Sequence, residues 1–342
     1  MSGSPTDLPP LIGESSAFLE VMEAVSLVAP LNRPALVIGE RGTGKELIAA
    51  RLHFLSARWG QPLIKVNCAA LPESLLETEL FGHEAGAFTG AVRRRMGRFE
   101  RADGGSLFLD EIANASQAVQ EKILRVVEYG EMERVGSSEA ISVDVRVIAA
   151  TNVDLPGEAA AGRFRHDLLD RLAFEVLTIP PLRNRPEDIP VLAAYFAHAM
   201  AMELDWDAFP GFTPAASGAL MAYPWPGNVR EIKNVAQRAV YRWPDEAVPI
   251  DDIQFDPFAS PYRPGPVAPE DVLAERTQNP NLRESMRQFE VDLLENALEA
   301  NRYNQRATAR HLGLTYDQLR NRLRKYEIIE GGTGPDQKSR SA

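Results

Sequence analysis

Two short stretches of this 342-residue chain carry residue types suited to phosphate chemistry. The first is GERGTGKE, Gly39 to Glu46, which follows the apolar run ALVI and opens the helix-like ELIAARLHFL. Gly39, Gly42 and Gly44 let successive backbone N–H groups curl around phosphate oxygens, with Glu40, Arg41 and Thr43 between them. Lys45 then reaches the terminal phosphates. Glu46 stands where a serine or threonine usually helps to hold magnesium, so the metal's protein contact is expected elsewhere. SLFLDE supplies it. Asp110, ending a hydrophobic strand, suits a hold on Mg²⁺, and Glu111 suits the orientation and deprotonation of an attacking water. The two stretches together predict an ATPase site with ATP and Mg²⁺ as its ligands.

The elements that must position these groups show in the hydrophobic pattern. From Leu11 to about Glu175 the short runs ALVIGE, LIKVNC, SLFLDE and VRVIAATN alternate with helix-length amphipathic segments. That alternation predicts an α/β fold, a parallel sheet with helices on its faces, over residues 11–175. Residues 176–257 read as mainly helical. In GNVREIKNVAQRAVYR the residues Ile232, Val235, Ala236, Ala239 and Val240 share one face, with Asn228 as the expected N-cap and Glu231 three residues on. A cluster of prolines from Pro257 to Pro269 predicts an extended linker over 258–281.

Past the linker, FEVDLLENALEANRYN places Phe289, Leu293, Leu294 and Ala297 on one helical face. NQRATARHLGLTYDQLRNRLRKYEI reads as a helix, a turn at Gly313 and a second helix opened by the capping pair Thr315 and Gln318. Leu319, Leu323 and Tyr326 are expected to face inward. A small all-α domain over 282–329 follows, between disordered ends at 1–10 and 330–342.

Composition narrows the class. The net charge of −11 argues against nucleic-acid binding by the chain as a whole, yet Arg302 to Lys325 holds seven Arg/Lys against the single acid Asp317. One basic island sits on an acidic protein. A lone cysteine, Cys68, excludes an internal disulfide and reads as a packing residue. There is no basic-then-apolar leader, and no apolar stretch nears the roughly 20 residues that cross a bilayer. A cytoplasmic protein without membrane insertion is expected.

The stretch FGHEAGAFTGA, Phe81 to Ala91, is rich in glycine and alanine, yet presents Phe88 at its middle. Burying a phenylalanine gains about 1.5–3 kcal/mol, so one set among residues too small to build a cluster suggests a target contact. The arginines at 93–95 either steer this loop or are simply solvated.

GERGTGKE, ELFGHEAGAFTGA, GGSLFLDE and WPGNVRE together resemble the AAA+ domain of bacterial enhancer-binding proteins, the activators of sigma-54 RNA polymerase, over about Leu11 to Pro257. The resemblance includes Glu46, which that family also carries. It implies an AAA+ P-loop domain with a helical lid, a hexameric ring, and sigma-54 RNA polymerase as target. By the same resemblance Asn67 holds Glu111 until nucleotide and target are set, Thr151 and Asn152 sense the γ-phosphate, and Arg230 is the lid's sensor arginine. Arg165 and Arg171 are similar to the fingers offered to a neighbouring subunit's ATP, although on residues alone they could be ordinary ion pairs with Asp167 or Asp170.

Gly86, Phe88, Thr89 and Gly90 match the family's sigma-54-gripping loop tip, with a second loop around Val135–Ala140. The C-terminal region resembles a helix-turn-helix of the Fis type. That implies upstream activator DNA as a partner, Arg320 and Asn321 as base readers, Arg324 on the same face, and Arg302, Arg306, Arg322 and Lys325 on phosphates. Family members usually begin with a sensing domain; with the AAA+ resemblance starting near residue 11, control from outside the chain is expected. The layout resembles the branch serving phage-shock operons, which implies a trans-acting inhibitor of the phage-shock-protein A type, with Trp59 either its contact or packed beneath a loop. An AAA+-fold repressor without ATPase activity, and another kind of AAA+ remodeller, are the competing readings.

Overall fold

A computed structural model describes residues 10–260, 262–263, 282–301 and 303–326. The expected lead up to residue 9, most of the expected linker, the tail and Arg302 lie outside the described residues. The chain divides into two compact units, Met1–Pro257 and Phe258–Ala342.

The first unit runs α1 (Ser16–Val28), β1 (Ala35–Ile38), α2 (Lys45–Phe54), β2 (Leu63–Asn67), α3 (Glu73–Phe81), β3 (Gly82–His83), β4 (Arg95–Met96), α4 (Arg98–Arg101), β5 (Ser106–Asp110) and α5 (Gln117–Tyr129). It continues with β6 (Glu131–Glu133), β7 (Ala140–Ser142), β8 (Arg146–Thr151), α6 (Leu155–Ala160), α7 (His166–Leu172) and β9 (Val176–Thr178). The helices α8 (Asp188–Glu203), α9 (Pro214–Ala222) and α10 (Asn228–Arg242) close it. Five strands form one parallel sheet in the order β2-β5-β8-β1-β9.

The central strands are near-continuous apolar runs because helices cover both sheet faces. Side chains alternate across the pleat. Leu36, Leu107, Leu109, Val147 and Ala149 join one core with α3 and α5, while Val37, Phe108, Ile148 and Ala150 join the other with α1 and α2. The carboxyl ends of β1, β2, β5 and β8 therefore open on one side, where ligands of such sheets bind.

The expected boundary at residue 175 moves. Val176–Thr178, read above as part of the helical region, is instead the edge strand β9, paired with β1 from Leu36↔Val176 to Ile38↔Thr178. Three residues with only Leu177 buried leave too short a pattern to read from sequence. The lid's α10 buries Ile232, Val235, Ala236, Ala239 and Val240, the expected stripe. Alanines 193, 197, 201, 236 and 239 on α8 and α10 let those helices approach closely. Asn228 is not the N-cap. Gly227 holds that position, and the Glu231 carboxylate accepts from the Gly227 N–H at 2.7 Å.

The second unit contains α11 (Leu282–Ala300), α12 (Gln305–His311) and α13 (Tyr316–Lys325). Leu294, Leu298, Ala309, Leu319 and Leu323 form its core, with Tyr326 packed against it. Thr315 and Gln318 make the expected reciprocal cap. The inward stripe of α11 is Leu294–Ala297–Leu298, so Phe289 (59 % exposed) and Leu293 (48 %) do not share the face assigned to them above.

One buried titratable group sits behind the sheet. His53 lies against Ser106 Oγ at 3.0 Å, and burial holds its imidazole below the ordinary 6.5. The unfolded chain therefore takes up a proton that the fold resists, so this contribution is complete above about pH 6.5 and falls as pH drops. Urea unfolding between pH 7 and 5 is expected to lose stability less steeply in His53→Gln than in the parent chain.

Candidate functional site

β1 ends at Ile38, and the chain turns through Gly42 (φ +79°) and Gly44 (φ +100°) before α2 begins at Lys45. A Cβ on Gly42 would lie 2.2 Å from the Gly227 carbonyl oxygen, so the turn is built for glycine twice over. Lys45 is 7 % exposed. Its Nζ donates to the carbonyls of Gly39 (2.9 Å) and Glu40 (3.3 Å) and lies 4.0 Å from Glu111 Oε1. Burial pulls the ammonium below its ordinary pKa, while Glu111 and Asp110 act to keep it charged. A cleft of about 820 Å³ opens here, lined by Arg41–Lys45, Asn67, Asp110, Glu111 and Arg230, and also by the apolar Leu11, Ile12, Phe196 and Val229. A polar cradle and an apolar wall together suit a nucleotide.

Asn67 and Asp110 are register partners at the ends of β2 and β5. Asn67 Nδ2 donates to Asp110 Oδ2 at 3.2 Å, and its Oδ1 accepts from the Ala69 N–H at 2.9 Å. Glu111 has a left-handed backbone (φ +52°), a conformation non-glycine residues hold only when the surroundings impose it. With its amide oriented to satisfy both neighbours, Asn152 donates to Glu111 Oε2 at 2.7 Å and accepts from Arg41 Nε at 3.3 Å. The expected Asn67–Glu111 contact is thus replaced here by two separate ones, Asn67 on Asp110 and Asn152 on Glu111.

The side chains of three other expected ligands are engaged by protein partners, although Glu46 still lines the cleft. Thr151 is buried, its carbonyl accepting from the Gly39 N–H at 3.1 Å and its Oγ1 from the Val153 N–H at 3.2 Å, so of the sensor pair only Asn152 reaches Glu111. Glu46 ion-pairs with Lys65 Nζ at 2.7 Å. Glu40 turns to the lid, where Arg183 and Asn228 hold its carboxyl at about 2. Cys68 is packed beneath the strand ends, and burial, reinforced by Asp110 and Glu111, pushes its thiol up to about 12.

Arg165 precedes α7 and grips Asp167 through Nε (3.0 Å) and Nη2 (2.7 Å), with Glu121 at 3.8 Å. Arg171 pairs with Glu128 at 2.6 Å. Neither lines the cleft of its own chain. Arg230 does, and its backbone N–H donates to the Gly42 carbonyl at 3.2 Å.

The Gly/Ala-rich loop rises from the β3–β4 pair. At its foot Phe81 stacks on Phe99 with centroids 5.4 Å apart. A Cβ on Gly97 would lie 2.4 Å from the Phe81 carbonyl carbon. The Gly86 N–H donates to the Ala91 carbonyl at 2.8 Å and closes the hexapeptide. Phe88 stays 44 % exposed with its ring edge-on to His83 at 5.0 Å, and Thr89 and Gly90 are exposed. The 134–136 segment braces the stem. The Glu84 N–H donates to the Val135 carbonyl at 3.1 Å, and buried Arg134 bridges Glu84 (2.8 Å) and Glu100 (2.9 Å). Arg94 and Arg95 are paired with Glu84 and Glu79. Trp59 is 59 % exposed.

In the second unit Asn304 caps α12, and Arg306, Asp317, Arg320, Asn321 and Arg324 are all exposed. Arg322, grouped above with phosphate contacts, instead pairs with Glu290 of α11.

Residues 11–178 match the family described as Sigma-54 interaction domain, 183–262 the AAA+ ATPase lid domain, and 285–326 the Bacterial regulatory protein, Fis family. The chain is 56 % identical over 324 residues to the Psp operon transcriptional activator of Escherichia coli (strain K12), covering 93 % of this chain and 98 % of that protein. The chain belongs to the sigma-54-dependent AAA+ activators. It is 45 % identical to the transcriptional regulatory protein ZraR of Klebsiella oxytoca over 90 % of this chain and 67 % of that one. The crystal structure of NtrX from Brucella abortus in complex with ATP superposes with a TM-score of 0.67 at 31 % identity, over 93 % of this chain and 70 % of that one. This activator is thus an ATP-binding ATPase with a Fis-type DNA-binding unit, and among the described residues no helix is long and apolar enough to cross a membrane.

Several residues in or beside this activator's cleft escape sequence reasoning. Asn228 was read as a helix cap, although an asparagine after Pro-Gly suits a left-handed turn, and it takes one (φ +51°). Arg183 and the apolar wall from Leu11 and Ile12 carried no motif at all. For the reaction itself, Glu111→Gln is expected to keep ATP affinity within a few-fold while turnover falls about 10²–10⁴-fold, the usual worth of a general base. Nucleotide binding and phosphate release measured side by side check it.

Proposed function

We propose that this activator works as a ring of identical subunits, six by its family resemblance, that burns ATP between neighbours to remodel closed complexes of sigma-54 RNA polymerase at a phage-shock operon. Lys45 holds the terminal phosphates, Glu111 takes the proton of the attacking water, Asn152 and Asn67 fix the two carboxylates, and Arg230 closes from the lid. Arg165 and Arg171 serve the next subunit's ATP. Their absence from their own cleft supports this, since an arginine supplied in trans is worth about 10³–10⁵ in rate.

The donors at the strand ends fit Mg²⁺, a hard ion that takes one or two carboxylates and completes its shell with phosphate oxygens and water. Asp110 would hold the ion, which when bound neutralises phosphate charge. Arg320 and Asn321 read bases with Arg324 beside them, and Arg306 meets phosphate, as a dimer on palindromic upstream sites. The activator is cytoplasmic, and an inhibitor of the phage-shock-protein A type restrains it, with Trp59 as the candidate contact. The 56 % identity to a protein named for the Psp operon supports the operon, and the inhibitor follows from the family resemblance alone.

The observation that carries this reading is the loop. Phe88 and Thr89 stand exposed on a braced stem, and neither lines the cleft. Thr89→Ala is therefore expected to leave ATP turnover near the parent rate while abolishing open-complex formation with sigma-54 polymerase; loss of both activities removes the assignment. On DNA, Arg320→Ala is expected to weaken binding in gel shifts by about 1–3 kcal/mol and to relax one base position, whereas Arg306→Ala lowers the salt slope by about 1.

A further inference from the structure

Glu40 is the second residue of the phosphate loop, yet its side chain serves the lid. Its carboxylate accepts from Arg183 Nη2 (2.5 Å) and Nη1 (2.8 Å) and from Asn228 Nδ2 (3.1 Å). Asn228 is fully buried. Its Nδ2 also donates to the Arg41 carbonyl at 3.1 Å, and its Oδ1 accepts from the Leu182 N–H at 2.7 Å. Two residues further along, the Arg230 N–H donates to the Gly42 carbonyl. Residues 40–42 of the loop and residues 182–183 and 228–230 of the lid are thus stitched into one patch, and the Arg230 side chain leaves from its edge into the cleft.

The chemistry of the patch is selective. A carboxylate beside a phosphate-binding loop repels the ligand unless a cation masks it, and Arg183 does so with a two-pronged contact. Asn228 holds a left-handed backbone that its residue type tolerates, and its side-chain amide engages Glu40, Arg41 and Leu182. We infer that Glu40 is a positioning residue: through Arg183 and Asn228 it fixes the register between phosphate loop and lid, and so sets how far Arg230 reaches into the nucleotide cleft. This rests on the reading that Arg230 faces the terminal phosphate of ATP.

The test uses the full chain as parent, E40Q, R183Q, the E40Q/R183Q double variant and R230A, with competition binding of ATP and ADP beside KM and kcat. R230A is expected to cut the preference for ATP over ADP about ten-fold, the scale of one charge-assisted hydrogen bond. E40Q and R183Q are each expected to cut it similarly, and the double variant no further than either alone. Unchanged preference in E40Q and R183Q beside an altered R230A overturns the latch and leaves the cleft reading standing. An additive double variant also overturns it. Unchanged preference in R230A overturns both readings. Arg183 lies on the surface, so R183Q carries the test if E40Q fails to fold.

Discussion

A buried ammonium needs negative charge facing it, and that requirement organises the cleft. Lys45 is held by two backbone carbonyls and faces Glu111, whose carboxylate is shared with Asn152, which in turn touches Arg41. Phosphate entering this cradle would compete with Glu111 for the same cation. Glu111 would then lose part of what holds its left-handed turn toward Lys45, while its hydrogen bond from Asn152 remains. The Glu111 carboxylate and the nucleotide charge would therefore be linked through one lysine, without any long-range device.

Packed structure connects the strand ends to the Gly86–Ala91 loop. Asn67 is the last residue of β2 and bonds Asp110, and α3 connects that strand end to the loop's stem. A nine-residue helix spans about 13 Å and moves as a rod. Its far end is fixed by the Phe81–Phe99 stack, the tight Gly82–Gly97 crossing and the Arg134 bridge to Glu84 and Glu100. Interfaces packed this closely switch between discrete arrangements. A change of partner at Asn67 would have this packed route, through the turn at 68–72 and α3, toward the Gly86–Ala91 loop.

The strands that build the site were legible because burial on both faces leaves unbroken apolar runs at β1, β5 and β8. β9 was not, since a three-residue edge strand carries no period. Lys45, Asp110 and Glu111 were legible from spacing alone. Which asparagine holds which carboxylate was not, because it turns on the left-handed backbone at Glu111, a property the residue type does not announce. The α11 stripe failed for a related reason. Phe289–Leu293–Leu294–Ala297 and Leu294–Ala297–Leu298 both satisfy helical spacing, and only the positions of α12 and α13 select the second.

The resting places of Arg165 and Arg171 bear on how a subunit becomes active. Both sit with carboxylates that are substantially exposed: Asp167 and Glu121 for the first, Glu128 for the second. Ion pairs of that kind are worth about 0–1 kcal/mol in water. A triphosphate presented by a neighbouring subunit offers far denser negative charge in a drier setting, where the same guanidinium gains more. Leaving Asp167 or Glu128 is therefore a small obstacle, and if these arginines serve a neighbour as proposed above, the exchange would favour assembly when the neighbour holds ATP over ADP. Nucleotide state and subunit contact would then reinforce one another, and a ring would present its Phe88 loops together, so that weak single contacts add by avidity.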